Sequence, residues 1–227
     1  MLKTLIILCL AVFVTTANAQ TETEAKDKTT TPTAPKKLNQ RVNADSSNTA
    51  EPFDNASVEK MKTQCVKFET TAGIIEMEMF PEVAPESVRN FLNLTAIGAF
   101  DTTTFSRIVP GFVVQGGNIS TREKMTAELA IRSRRKLPDE PSLIKHESGI
   151  LSMARSEEKN SASTNFFILV SEAPHLDGKF AAFGRVTGGM DAVNAINKME
   201  VEGEKPVKPV RITRATVFSC PTQTEPK

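Results

Sequence analysis

Residues 105–117 constrain the fold of this chain more than any other stretch. Residues 112–115 form a β-rich run, which a Pro-Gly turn precedes and a Gly-Gly pair ends. The pattern predicts two short strands joined by a tight turn. Arg107 and Gln115 then project from a sheet otherwise rich in Phe, Val and Ile. Because a guanidinium among aromatic side chains is costly to desolvate, we expect Arg107 to have a function.

The rest of the folded region is predicted to be β-rich with two helices. Residues 66–70 and 74–80 alternate apolar with polar side chains around a short turn, which indicates a hairpin with one buried face. Pro85 begins a helix that Gly98 ends, and Met190, Val193, Ile196 and Met199 form the stripe of a second helix. Further strands are predicted at residues 149–154, 166–170, 181–186 and 210–217, the last with a bulge near Arg214.

Residues 105–117 resemble the F-x-R-x-x-P-x-F-x-x-Q-G-G signature of the cyclophilins, a family of peptidyl-prolyl cis/trans isomerases. The resemblance extends from about Val66 to Phe218 through further agreeing segments at 149–154, 165–168, 176–180 and 183–186. It implies a mainly β fold, an eight-stranded antiparallel barrel with a helix capping each end. Since side chains fill the interior of such a barrel, the active groove is expected on its outer face.

The resemblance also implies the chemistry. Rotation about an X–Pro bond is opposed by amide resonance, with a barrier of roughly 18–20 kcal/mol, so a catalyst needs to favour the twisted amide and requires no nucleophile, metal or cofactor. Arg107 is the expected donor to the prolyl nitrogen, with Phe112 and Gln115 as further catalytic residues. The expected peptide-binding residues are Val113, Ala154, Arg155, Asn165, Phe166, Leu176 and Phe180.

Several positions depart from the family's pattern. The family often has His at Ser106, Asn at Arg155, Gln at Asn165 and His at Phe180. His175 stands where eukaryotic members carry the Trp that binds cyclosporin, so we expect weak drug binding. The glycine-rich segment that the family has after Gly116-Gly117 is replaced by residues 122–125. In the family a secondary pocket beside that segment influences the choice of residues upstream of the proline, and we do not expect it here in the same form. The substitutions at Arg155 and Asn165 and the loss of the glycines support an alternative function, a proline-peptide chaperone or scaffold of the same fold with little turnover.

Other site types have little support in the sequence. The two histidines, His146 and His175, show no spacing typical of zinc ligands and are expected at the surface or the groove edge. Ser152 and Ser163 lack the context of a hydrolase nucleophile.

The ends of the chain predict export. Residues 1–19 have the charged start, apolar run and small-x-small cleavage site of a secretory signal, and residues 20–58 have the composition of a disordered leader. Residues 59–221 are the predicted isomerase domain, and 222–227 a tail. In an exported protein Cys65 and Cys220 invite a disulfide. The resemblance puts the first and last strands side by side, so we favour this bridge over two unrelated thiols.

The expected partners are proline-containing peptides and unfolded exported proteins. The net charge of +1 gives no reason to expect nucleic acid as a partner. We expect a monomer without stable membrane insertion, in a bacterial periplasm or in a eukaryotic secretory compartment.

Overall fold

The computed structural model describes residues 50–221, so the predicted signal 1–19, most of the leader and the tail 222–227 lie outside the described residues. The α-helices are α1 Val58–Lys62, α2 Pro85–Ala96, α3 Ala127–Arg132 and α4 Met190–Asn197. The strands are β1 Gln64–Thr70, β2 Gly73–Met79, β3 Arg107–Val109, β4 Val113–Gly116, β5 Ile150–Met153, β6 Phe166–Leu169, β7 Ala182–Gly188, β8 Val201–Glu202, β9 Lys205–Pro206 and β10 Ile212–Ser219.

Eight of the strands form one antiparallel sheet in the order β10-β1-β2-β7-β5-β6-β4-β3, and β8 pairs with β9 in a separate hairpin. The sheet curls so that its edges approach each other through an isolated bridge between Thr104 and Arg211 and a hydrogen bond from Phe105 N–H to the Val210 oxygen. The prediction of a mainly β, eight-stranded antiparallel fold is confirmed. The edges meet through loop residues, and no regular ladder joins β3 to β10.

Both predicted helices are present, and two shorter helices, α1 and α3, were not foreseen. The concave side of the sheet is filled by phenylalanines, and α2 covers it with Phe91, whose ring lies 5.0–5.9 Å from four neighbouring rings. These neighbours are Phe68, Phe100, Phe166 and Phe183. The predicted bulge near Arg214 is also present, because the register of β1 against β10 shifts between Glu69 and Thr70, which pair with Arg214 and Ile212.

The folded domain begins earlier than residue 59. Phe53 is buried in the core, and Arg89 on α2 donates to the carbonyl oxygens of Phe53, Asp54 and Ala56. A disordered leader was predicted for residues 20–58 because this segment has almost no large apolar residue, and Phe53 is an exception. That side chain and the backbone carbonyls are enough to attach the segment to α2.

The first and last strands along the chain, β1 and β10, lie side by side. Cys65 on β1 and Cys220 just after β10 form a disulfide in the structure, with Cα atoms 4.9 Å apart. Cys65 is paired with Phe218 in the β1–β10 ladder, so the strand register brings the thiols together. Among residues 50–221 there is no helix with the length and apolar character needed to cross a bilayer.

Candidate active site

The candidate site lies on the convex side of the sheet, where β3, β4, β6 and β5 run side by side. Alternate residues of a strand face opposite sides. Val114, Phe166 and Ile168 belong to the interior core, whereas Val113, Phe167 and Leu169 belong to a second, outer apolar cluster. The same strands therefore build both the core and the floor of the site.

Arg107 and Gln115 are directly paired residues of β3 and β4, so their side chains share the outer face. Arg107 Nη1 donates to Gln115 Oε1 at 3.2 Å. Arg107 also donates from Nε and Nη2 to both carboxylate oxygens of Glu204, at 2.6 and 3.0 Å. The hydrogen bonds from Arg107 hold the pKa of the Glu204 carboxyl below its ordinary value. The predicted cation is thus oriented by two side chains, which together supply three acceptor oxygens.

The outer cluster supplies an apolar surface beside this cation. Phe112, Ala154 and Phe180 pack against its buried residues. The rings of Phe167 and Phe180 meet edge to face with centroids 6.0 Å apart. Of the predicted pocket residues, Phe112, Val113, Ala154, Leu176 and Phe180 all belong to this outer cluster.

Phe166 was predicted as a pocket residue, and this prediction is wrong. Its ring is fully buried in the interior, in contact with the rings of Phe68, Phe91 and Phe100. Its neighbour Phe167 faces the outer cluster instead. The side that each ring takes is set by the register of β6, which pairs Phe166 with Gly116 and Phe167 with Gln115.

The Gly116-Gly117 pair that ends β4 allows this core ring to approach. A Cβ on Gly116 would lie 2.9 Å from the Phe166 ring, and one on Gly117 would lie 2.2 Å from the Thr164 carbonyl oxygen. Gly117 also has a φ of +82°, which side chains rarely adopt.

Arg155 and Asn165 lie at the edge where β5 ends. Ala154 N–H donates to the Asn165 carbonyl oxygen at 3.0 Å, so a backbone hydrogen bond joins Ala154, next to Arg155, to Asn165. The Arg155 guanidinium lies 5.0 Å from the centroid of the Phe180 ring, a cation–π distance, and 3.9 Å from Asp139. The substitution at this position therefore places a second cation at the rim of the apolar surface.

Asn197 is a positioning residue that the sequence did not reveal. This buried residue of α4 donates to the carbonyl oxygens of Val109 and Val113 at 2.9 and 3.0 Å and accepts from Gly111 N–H at 2.7 Å. It thereby fixes the turn that presents Phe112. No local pattern could have indicated it, because it lies some eighty residues along the chain from that turn.

His146 is not at the surface, contrary to expectation. It is buried beneath the site, with Nδ1 3.0 Å from Asp177 Oδ1 and Nε2 2.9 Å from Ser152 Oγ. The Asp177 carboxylate also accepts from His146 N–H, and this backbone hydrogen bond is the main reason that the pKa of Asp177 lies below its ordinary value. Since His146 and Ser152 are both buried, the linked side chains of Asp177, His146 and Ser152 support the floor of the site and do not form a hydrolytic triad.

His175 is exposed, as expected, with its ring 5.7 Å from that of Phe112.

In the segment that replaces the glycine-rich stretch, Arg122 donates to the carbonyl oxygens of Gly98 and Ala99 beyond the end of α2. Within residues 50–221, no three His, Cys, Asp or Glu side chains are grouped as metal ligands would be. The arrangement offers a fixed hydrogen-bond donor beside an apolar surface, which suits binding and distortion of a proline-containing peptide.

Comparison with known proteins gives a consistent result. The family profile described as cyclophilin type peptidyl-prolyl cis-trans isomerase/CLD matches residues 65–217. The peptidyl-prolyl cis-trans isomerase cypE of Dictyostelium discoideum is 37% identical over 158 residues, covering 69% of this chain and 99% of that protein. The peptidyl-prolyl cis-trans isomerase CYP23 of Arabidopsis thaliana is 34% identical over 164 residues, covering 70% of this chain and 73% of that protein.

Solved structures agree. The crystal structure of a cyclophilin type peptidyl-prolyl cis-trans isomerase of Cryptosporidium parvum matches with a TM-score of 0.61 at 29% identity, covering 70% of this chain and 99% of that one. Another crystal structure with the same name, determined in the presence of the dipeptide Ala-Pro, matches with a TM-score of 0.60 at 29% identity, covering 69% of this chain and 99% of that one.

Proposed function

This chain belongs to the cyclophilin-type peptidyl-prolyl cis-trans isomerase family, and from that premise we propose how it acts and on what. It is a peptidyl-prolyl isomerase that accelerates X–Pro isomerisation during the folding of exported proteins. Arg107 stabilises the twisted imide, and the outer apolar cluster holds the proline ring. The pairing of Arg107 with Gln115 beside that cluster is the observation that carries the proposal.

The role of Arg107 follows from the chemistry of the imide. A planar amide delocalises the nitrogen lone pair, which costs roughly 18–20 kcal/mol to disrupt, whereas a twisted, pyramidal nitrogen can accept a hydrogen bond. A donor aimed at that nitrogen therefore stabilises the transition state more than either ground state. A guanidinium has five N–H donors and no acceptor, so Arg107 can only donate to the imide.

The apolar cluster supplies the second requirement, a surface that holds the ring while the amide turns. Phe112, Phe167, Leu176 and Phe180 contribute side chains to it. A cyclophilin of Cryptosporidium parvum was crystallised in the presence of Ala-Pro, which supports a short proline peptide as the ligand class. Gln115 and the Ala154 edge would then bind the peptide backbone.

The exported role is supported by the signal-like pattern of residues 1–19 and by the Cys65–Cys220 pairing, which is typical of oxidising compartments. A bacterial periplasm and a eukaryotic secretory compartment both fit these features. The clients would be unfolded proteins with slow X–Pro bonds, and the isomerase would act as a monomer.

The test is a protease-coupled isomerisation assay of the wild type and Arg107→Ala. One such donor contributes about 3–4 kcal/mol, so we expect kcat/KM to fall roughly hundredfold or more. Arg185→Ala is the matched control. Arg185 lies on β7, which β5 and β6 separate from β4, and its Nε is 2.6 Å from the carboxylate of Glu78 on β2. A wild type no faster than the uncatalysed rate would favour the alternative, a proline-peptide-binding chaperone or scaffold.

A further inference from the structure

We infer that Glu204 is a positioning residue for isomerisation, whose carboxylate fixes the orientation of the Arg107 guanidinium toward the peptide. The inference rests on the catalytic role of Arg107 proposed above. It adds a residue from the β8–β9 hairpin, which the signature at residues 105–117 does not include.

The hairpin places Glu204 by its backbone. Glu202 pairs with Lys205, so Gly203 and Glu204 form a two-residue turn, in which Gly203 has a φ of +65°. The carbonyl oxygen of Glu204 accepts at 2.8 Å from the N–H of Ile108, the residue that directly follows Arg107 in the chain. The backbone of Glu204 is therefore held beside β3 independently of the contact between its carboxylate and the guanidinium.

The contact uses one edge of the guanidinium. Nε and Nη2 donate to the two oxygens of Glu204, and Nη1 donates to Gln115. An arginine has five N–H groups, so among the described residues one N–H on each terminal nitrogen is left for a peptide. A bidentate pair fixes the plane of the guanidinium, which a single hydrogen bond does not.

Stability does not explain the pair well. The side chains of Arg107 and Glu204 are 40% and 55% exposed, and ion pairs at such positions contribute little to folding. Orientation of a flexible cation is a different effect, because a donor that is already aligned loses less freedom when the imide twists. A glutamate is ordinarily ionised near neutral pH, and the hydrogen bonds from Arg107 lower the pKa of Glu204 further.

The experiment measures kcat/KM of the full chain on a chromogenic tetrapeptide with one X–Pro bond. We expect Glu204→Ala to lower it at least tenfold. Glu204→Gln, which keeps one acceptor oxygen, should lose less. Glu78→Ala removes the matched carboxylate of the Arg185 pair and should stay within twofold of wild type. The double variant Arg107→Ala/Glu204→Ala should be no slower than Arg107→Ala alone.

A second readout separates positioning from a general structural effect. The Nε–H resonance of Arg107, assigned by its absence in Arg107→Ala, should shift and exchange faster with solvent in Glu204→Ala, while the thermal midpoint stays near wild type. Glu204→Ala within twofold of wild type, or faster than it, overturns the inference while leaving the role of Arg107 intact. So does an additive loss in the double variant. Full activity of Arg107→Ala would instead overturn the proposed function itself, and the inference with it.

Discussion

Arg107 and Gln115 face each other across β3 and β4, and the guanidinium donates to the Gln115 side-chain oxygen at 3.2 Å. The register of the two strands makes this contact, because directly paired residues project on the same side of a sheet. The Gln115 amide is neutral and holds Nη1, whereas the anionic partner Glu204 binds the edge formed by Nε and Nη2.

Removing this amide should slow catalysis without unfolding the protein. Hydrogen bonds to a charged group contribute about 1.5–3 kcal/mol, so we expect Gln115→Ala to reduce kcat/KM by roughly tenfold or more. A protease-coupled assay measures the change, with Thr187→Ala, an exposed position of β7, as the control. A Gln115→Ala enzyme as fast as wild type would contradict the role assigned to Gln115.

Alanine at Phe166 and at Phe167 should have different effects although the residues are adjacent. Phe166→Ala opens a cavity in the interior and should lower the free energy of unfolding by about 3–5 kcal/mol, with little change in the KM of the folded fraction. Phe167→Ala should raise KM for a proline peptide severalfold. Denaturant titration and steady-state kinetics separate the two effects. A larger KM change from Phe166→Ala would mean that the faces are assigned wrongly.

The disulfide should stabilise the domain without contributing to turnover. Cys65 and Cys220 are 155 residues apart, and closing a loop of that length stabilises by about 2–5 kcal/mol. We expect the Cys65→Ser/Cys220→Ser variant to lose that amount in denaturant unfolding and to keep the wild-type kcat/KM. A reducing agent should destabilise the wild type and leave the variant unchanged. Equal sensitivity of both proteins to the reductant would argue against the bridge.

Asp177 should make the domain less stable in acid. Its pKa is lowered from an ordinary value of 3.8, so the unfolded chain takes up its proton at higher pH than the folded one. The stabilisation is therefore complete well above that value and is lost as the pH falls through the folded-state pKa. Asp177→Asn should reduce the dependence of the unfolding free energy on pH in the range of about 5 to 3. Identical slopes for the two proteins would contradict this.

Cyclosporin should bind weakly. His175 occupies the position where the resemblance expects the drug-binding Trp, and its ring lies 5.7 Å from Phe112. In a direct calorimetric titration we expect the His175→Trp variant to bind the drug at least tenfold more tightly than the wild type. A tight complex with the unmodified protein would show that the indole is not required.

The sequence predicted most of the sheet because apolar and polar side chains alternate along several strands and because residues 105–117 match a signature that contains a turn. It placed Phe166 in the groove instead of Phe167, because the side that each ring takes depends on pairing with β4, and a shift of one residue exchanges the faces. A run of consecutive phenylalanines shows no alternation from which a face could be chosen.

Contacts distant in sequence account for the other differences. Phe53 lies in a polar segment, yet it is buried in the core, and Asn93 and Arg89 on α2 bind its backbone. His146 is enclosed by Asp177 and Ser152, neither of which has a recognisable local signal. The Cys65–Cys220 pairing was foreseen because the family resemblance supplied the strand order that composition could not.

Because Asn197 binds the backbone of the turn within residues 105–117, this stretch depends on a residue far along the chain for its conformation. The loop carrying Phe112 is anchored from behind by α4, and the glycines that end β4 fit only against Thr164 and Phe166. A peptide copy of this stretch, or its graft into another hairpin, would lack those anchors. An engineer who wished to transplant the activity would have to move the later half of the domain with it.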